Sequence, residues 1–326
     1  MDIAGQASRS VRGLRLLGVE ADLYAPVHPF HYDPPDIVPT GDRLALLRTI
    51  LRAARSHDTF HFHFGASFHP RLRLLDAQAL RAAGRTVVAE FHGSDVRMPS
   101  LEALRNPCYV PLPGEDDAGA DRLMARWAKI TGGHAICCDP SLMLFLSRHF
   151  DRIHLVGKRV EVDRYPVRAP SRSASGPLVV AHAPSDPDAK GTRSIRAAID
   201  QLGSAVEYVE VTDRPHAEVM STIERADLVV DHLGVASYGV LAIEAMSMAK
   251  PVICHLLPDY AEYLPADCPV IRAGPDTIAD AIREWADRRD ELYGLGIASR
   301  GYVQRNHDVK VVAGQLVDAY AELPAR

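Results

Sequence analysis

The chain carries little that would bind it to a membrane or to nucleic acid. In 326 residues no apolar run approaches the ~20 residues that a bilayer-spanning helix needs. The formal net charge is −5, the wrong sign for a protein that coats phosphate backbones. Five cysteines, with Cys137 and Cys138 adjacent, form no spaced framework. They read as reduced, mostly buried thiols and exclude a disulfide scaffold. No signal peptide opens the chain, and the reduced thiols lead to the expectation of a cytoplasmic setting. There is no Gly-x-Gly-x-x-Gly fingerprint, which argues against a dehydrogenase. Gly-x-Ser-x-Gly, a Walker-type loop and Cys-x-x-Cys are absent too, and no repeat of fixed period is visible.

What the chain does have is regular alternation. Hydrophobic content of 47% and charged content of 24% are ordinary for a globular protein, and the length suggests about two domains. Helical and strand patterns alternate nearly throughout, which predicts layered α/β architecture with parallel sheets. In the first half, helices are expected at 6–17, 43–55, 71–83 and 141–149, with a further helix ending near Lys129. Strands are expected at 21–24, 60–64, 86–91, 134–138 and 153–156, and a Pro/His-rich loop spans 26–41. The Ser/Pro-rich segment 170–176 reads as a linker, and helices near 278–288 and 309–320 close the chain.

The most informative stretch is 227–254. Ala-Asp-Leu-Val-Val-Asp-His-Leu ends a β-branched run at Asp231; a loop with Tyr238-Gly239 follows, then the helix-forming Val240-Leu241-Ala242-Ile243-Glu244-Ala245-Met246 and Lys250-Pro251-Val252-Ile253-Cys254. In a parallel sheet, strand–loop–helix–strand puts a loop and a helix N-terminus at the carboxyl edge, where phosphates bind. Upstream, Leu178 to Ser185 reads as a strand entering a loop, and Lys190-Gly191-Thr192 opens a helix. An ammonium ion beside unpaired helical N–H groups suits an anion, although a lone lysine there is more often a solvated surface residue.

Taken together, these segments resemble the donor-site signature of retaining GT-B glycosyltransferases of the Glu-Ala-Met type, glycosyltransferase family 4. The resemblance implies two Rossmann-like domains facing across a cleft: an acceptor-side domain at 1–162 and a nucleotide-sugar-binding domain at 163–326 with the terminal helices. It implies a metal-independent hexosyltransferase without a cofactor, taking a nucleoside diphosphate sugar and a hydroxyl acceptor, which could be a small molecule, a glycan or a lipid reached by peripheral membrane contact. Glu244 would accept hydrogen bonds from ribose hydroxyls. Lys190, Gly239, Tyr238 and Ser185 would contact the donor, with Lys190 neutralising the diphosphate. Phe91-His92-Gly93-Ser94-Asp95 resembles the family's His-Gly motif, which makes His92 the catalytic candidate touching the transferred sugar. Asp95 would bind an acceptor hydroxyl or cap the next turn.

Departures from the family pattern matter as well. Its fuller signature has a second glutamate eight positions before Glu244, and this chain has Ala236 there. Asp231-His232-Leu233 with Tyr238-Gly239 resembles instead the family's Asp-Gln-Leu…Tyr-Gly variant. No arginine precedes Lys190, and Asp186 and Asp188 would repel a diphosphate. Family members open with an apolar strand, whereas residues 1–6, including Gly5 on the acceptor side, look like the loop that follows it. Either the start falls late or the N-terminal sheet lacks its first strand, which would expose strand edges. His61 and His63 share one face of a strand, a spacing that can present two imidazoles to one ion. No third ligand has convincing spacing, so no metal is expected, and His63 is read as an acceptor contact. Two further readings remain open: a sugar-nucleotide epimerase or hydrolase of this fold, and a degenerate, non-catalytic sugar-nucleotide-binding subunit.

Overall fold

The computed structural model describes residues 2–27, 33–39, 41–167, 176–235 and 237–324. The chain forms two compact units: residues 1–100, 113–158 and 309–326 make the first, and 101–112 with 159–308 make the second. Nearly all of the expected linker, part of the 26–41 loop and Ala236 lie outside the described residues.

In the first unit, β1 (Thr59–His63), β2 (Thr86–Phe91), β3 (His134–Cys137) and β4 (Arg152–Leu155) form a parallel sheet in the order β1-β2-β3-β4. Among the described residues, β1 is therefore an edge strand. The expected strand at 21–24 is not formed: Tyr24 and Ile37 make only an isolated bridge. Leu23 and Ala25 instead pack against Ala7 of the helix Gln6–Leu16, and Leu23 and Ala25 exchange backbone hydrogen bonds with Ile37. The expected helix 71–83 is broken. A 3-10 turn, Pro70–Leu72, precedes left-handed Arg73 and Leu74, and the helix runs only over Leu75–Ala82. The terminal helix Val309–Glu322 packs in this unit, not with the second half. Val312, Ala313 and Leu316 lie against Leu14, Val88 and Ile136. Gly13 permits this approach, since a Cβ there would strike the Val309 carbonyl oxygen. A cavity of about 440 Å³ borders β1, lined among others by Ala7, Val11, Phe60, His61 and Tyr320.

In the second unit, β5 (Leu178–His182), β6 (Val206–Glu210), β7 (Leu228–Val230), β8 (Val252–Cys254) and β9 (Ile271–Arg272) form a parallel sheet in the order β6-β5-β7-β8-β9. Both faces are covered at the centre, which explains why β7, β8 and residues 178–181 of β5 are apolar throughout instead of alternating, whereas edge strand β6 carries Glu207 and Glu210. Leu178, Val180, Leu228, Val230 and Ile253 pack with Ile195 and Ile282 on one side. Val179, Ala181, Val229, Val252 and Cys254 pack with Ile223, Ile243, Met246 and Val303 on the other. The order reverses direction at β5: the chain moves outward to β6, then returns to the far side of β5 as β7. In open parallel sheets such a switch point, at the carboxyl ends of the strands, is where ligands bind.

Gly296 tests the packing of this unit. It lies buried in the helix Arg289–Asn306, and a Cβ there would drive into the carbonyl oxygen of Ala249, the left-handed residue that precedes Lys250-Pro251. Gly296→Ala should gain about 1 kcal/mol of helix propensity and lose more, about 1–3 kcal/mol, to overpacking. The expected net effect is a lower melting temperature; a rise would show that the two segments separate at no cost.

Candidate functional site

Two of the residues singled out in the second half, Lys190 and Gly239, meet at the β5/β7 switch point through Asp231. β5 ends in His182, whose ring is fully buried and bridges two elements: Nδ1 meets the Val230 carbonyl at 2.9 Å and Nε2 meets Thr192 Oγ1 at 3.0 Å. Burial lowers its pKa, so the ring is neutral near pH 7 and serves as a brace. The Asp186 side chain accepts from the Ala189 N–H and its carbonyl from the Lys190 N–H, which folds the turn that presents Lys190. Asp186 thus shapes the loop, an origin for an acid there that the sequence did not disclose. Gly191 is left-handed and begins the helix Thr192–Leu202; a Cβ on it would crowd Leu233 Cβ at 3.0 Å.

β7 ends immediately before Asp231, which is fully buried. Its Oδ1 accepts from Lys190 Nζ at 3.2 Å and its Oδ2 from the Gly239 N–H at 2.6 Å. Burial pushes the carboxyl up, but His232, Lys190 and the Gly239 N–H outweigh it and hold the group well below the usual carboxylate range. The expected arrangement is therefore modified. The Gly239 N–H, assigned to phosphate from the sequence, donates to Asp231 here, and the Lys190 ammonium lies against the same carboxylate. Gly239 is still required: a Cβ would sit 2.9 Å from Asp231 Oδ2 and 3.2 Å from His232 Nε2.

Glu244 lies in the helix Val240–Ser247, buried, with Oε1 accepting from Tyr165 Oη at 3.1 Å and from His216 Nε2 at 2.9 Å. His216 opens the helix His216–Arg225 directly after Pro215. Neither Tyr165 nor His216 was expected at the site. Tyr238 is corrected. Its side chain turns into the core, its hydroxyl 3.1 Å from Tyr302 Oη and 2.9 Å from His307 Nε2. Ser185 is exposed in the loop after β5.

The first-half candidates form a separate cluster at the carboxyl ends of β1 and β2. Their alternation puts His61 and His63 on one face, and the parallel register sets His63 opposite Glu90. The His92 ring is buried, with Nε2 3.0 Å from His63 Nδ1 and Nδ1 3.5 Å from Cys138 Sγ. Both ring nitrogens are engaged by side chains of this unit. Asp95 follows the capping alternative, since its carboxylate accepts from the Gly93 N–H at 2.8 Å and the His92 N–H at 3.1 Å. Gly5 is buried and left-handed at the start of the helix Gln6–Leu16, where its carbonyl accepts from Ser8 Oγ at 2.9 Å. Glu90 was missed, although one carboxylate inside the apolar run Val87–Phe91 is a signal that it is held by something.

No family model matches the chain, and no curated protein matches it in sequence. Solved structures do match its fold. Sucrose-phosphate synthase from Thermosynechococcus elongatus is 15% identical, with a TM-score of 0.63 over 96% of this chain and 91% of that one. HepE from Anabaena, solved with UDP-glucose, is 13% identical, with a TM-score of 0.65 over 90% and 87%. A glycosyltransferase from Rickettsia africae is 12% identical, with a TM-score of 0.63 over 97% and 93%. At these identities the likeness carries the fold: an α/β chain with two parallel sheets, of the GT-B glycosyltransferase type.

Asp95 supplies a pH test of the His92 turn. Burial raises its pKa to about 6 against the pull of the Gly93 and His92 N–H groups. A carboxyl raised in the folded state stabilises fully below its unfolded pKa near 4, and that contribution is lost as pH rises through about 6. The stability advantage of wild type over Asp95→Asn should therefore shrink by roughly 2–3 kcal/mol between pH 4 and pH 7. Denaturant unfolding of both proteins across that range checks this; a constant difference would mean the carboxyl titrates normally.

Proposed function

We propose that the protein is a retaining glycosyltransferase that moves a sugar from a nucleoside diphosphate sugar to a hydroxyl acceptor. The observation that carries this reading is the meeting of Lys190 with Asp231 and Gly239 at the switch point of the second sheet, with Glu244 a turn and a half into the following helix. Two helix N-termini and an ammonium ion there suit a diphosphate. The GT-B fold and the UDP and UDP-glucose complexes of HepE support a nucleotide-sugar donor.

On this reading the diphosphate takes Lys190 and the Gly239 N–H from Asp231, and the ribose hydroxyls reach Glu244 alongside Tyr165 and His216. Rate enhancement rests on orientation and on neutralising the leaving diphosphate. The acceptor attacks on the leaving-group face and the diphosphate accepts its proton, so no enzymic nucleophile is needed. His92 orients the sugar, and Asp95 holds the turn that carries it. The second half thus acts as the donor side and the first half as the acceptor side, with soluble, glycan and lipid hydroxyls as acceptors to be compared.

A non-catalytic sugar-nucleotide-binding role is favoured by one observation: the Asp231 carboxylate takes the very donors a phosphate would use. Incubation with a donor panel led by UDP-glucose, with and without hydroxyl acceptors, followed by mass spectrometry, separates the readings. Transfer supports the proposal, nucleotide release without acceptor indicates a hydrolase or epimerase, and binding without turnover indicates the non-catalytic role.

Glu244→Ala should weaken nucleoside diphosphate binding by about 1.5–3 kcal/mol, roughly 10- to 100-fold, through loss of charge-assisted hydrogen bonds. Lys190→Ala should lower turnover more than Lys190→Arg. His92→Ala should lower turnover while leaving diphosphate affinity nearly unchanged. Calorimetry, turnover and melting temperature on each variant check these outcomes. Unchanged affinity in Glu244→Ala would remove it from the donor site.

A further inference from the structure

We propose that His61, His63 and Glu90 bind a single divalent transition ion of the zinc class, clamping edge strand β1 to β2. This site lies in the first unit and does not depend on the transferase reading.

The donor set converges for a simple geometric reason. Residues 61 and 63 point to the same face of β1, and the parallel register places Glu90 beside His63 on that face. Glu90 Oε2 lies 3.1 Å from His61 Nε2 and 3.6 Å from His63 Nδ1. One ligand atom from each of the three residues falls within 4.8 Å of the others. Around a tetrahedral ion with bonds of about 2.0–2.1 Å, ligand atoms are separated by about 3.4 Å. The two Glu90 separations bracket that value. Two imidazoles and a carboxylate are a donor set that zinc accepts with a fourth position left for solvent.

One observation points to a ligand as well as to a cluster. His61 Nε2 is buried and has no hydrogen-bond partner, so its 3.1 Å approach to Glu90 is a contact outside hydrogen-bond geometry. The other ring nitrogen, Nδ1, meets Tyr320 Oη at 2.7 Å. With the Tyr320 hydroxyl accepting from Nδ1–H, the Nε2 lone pair faces the carboxylate, the outer-shell arrangement of a metal-ligating histidine. Glu90 is fully buried, which places its carboxylate among the imidazoles in a site of low dielectric. The cavity of about 440 Å³ reaches His61, His63 and Tyr320 and gives an ion its way in.

The proposal also has a structural consequence. The His61 and His63 rings are stacked, with centroids 4.3 Å apart and planes 20° apart, so their in-plane lone pairs run side by side. Seating one ion requires the His63 ring to turn about its soft χ2 torsion and give up His92 Nε2. Metal uptake therefore changes the hydrogen bonding of His92.

The test uses the full chain, untagged and stripped with chelator, titrated with zinc by calorimetry and with cobalt by visible absorption. One ion per chain is expected, with tetrahedral cobalt bands and no thiolate-to-cobalt charge-transfer band. His61→Gln and Glu90→Gln should weaken binding by at least about 100-fold, and Tyr320→Phe by about 10-fold. Cys138→Ser should bind as wild type. Zinc should raise the melting temperature of wild type and Cys138→Ser but not of His61→Gln. Absence of cobalt bands in wild type overturns the proposal without recourse to any variant. Binding retained within about threefold by a folded Glu90→Gln protein overturns it too. So does loss of binding in Cys138→Ser together with a thiolate band, which would move the ion to Glu90, His92 and Cys138.

Discussion

The second unit is organised around one buried carboxylate. Asp231 sits at the carboxyl end of β7, and its two oxygens hold the first residue groups of two different helices: Lys190, just ahead of Thr192–Leu202, and the Gly239 N–H, just ahead of Val240–Ser247. An isolated carboxylate buried this deeply would protonate; here His232, the ammonium ion and the N–H keep it charged. The same bonds fix the separation of two helix N-termini across the switch point. Gly191 and Gly239 are glycines because side chains there would enter the space in which Leu233, Asp231 and His232 meet. His182 completes the frame as a neutral brace between β7 and the first of these helices.

This arrangement frames the chemistry of donor binding on the transferase reading. A phosphate and Asp231 compete for the same cation and the same N–H, so the site is balanced by exchange of one anion for another. Glu244 is organised in a similar way, held by a phenol and an imidazole before any sugar arrives. Held polar groups of this kind reduce the reorganisation that binding demands.

The first unit solves its own buried carboxylate differently. Glu90 meets three imidazoles: His61, His63 and His92 all approach within 4 Å. Imidazoles bind transition ions, so this cluster suits an ion where the Lys190–Asp231 pair does not. Among the described residues β1 is an edge strand, and the cavity adjoins the cluster.

The amino-acid sequence by itself determined the two-sheet α/β plan, because alternating apolar runs and helical periods can bury their faces in few other ways. It also determined the local motifs at Lys190-Gly191 and 239–244, since a strand, a glycine and a helix start are encoded within a few residues. The places where it misled are those where local pattern was outbid by distant packing. Four residues at 21–24 look like a strand yet form one bridge, because Leu23 and Ala25 are drawn under the helix Gln6–Leu16. Tyr238 belongs to the Tyr302–His307 network, and the terminal helix belongs to the first unit. Only the tertiary structure decided which charges meet. Asp231 with Lys190, Glu244 with Tyr165 and His216, and Glu90 with three histidines join residues from separate strands and helices. Such pairings follow from register and strand order, which are set by the burial of whole faces and leave no trace in the spacing of any one segment.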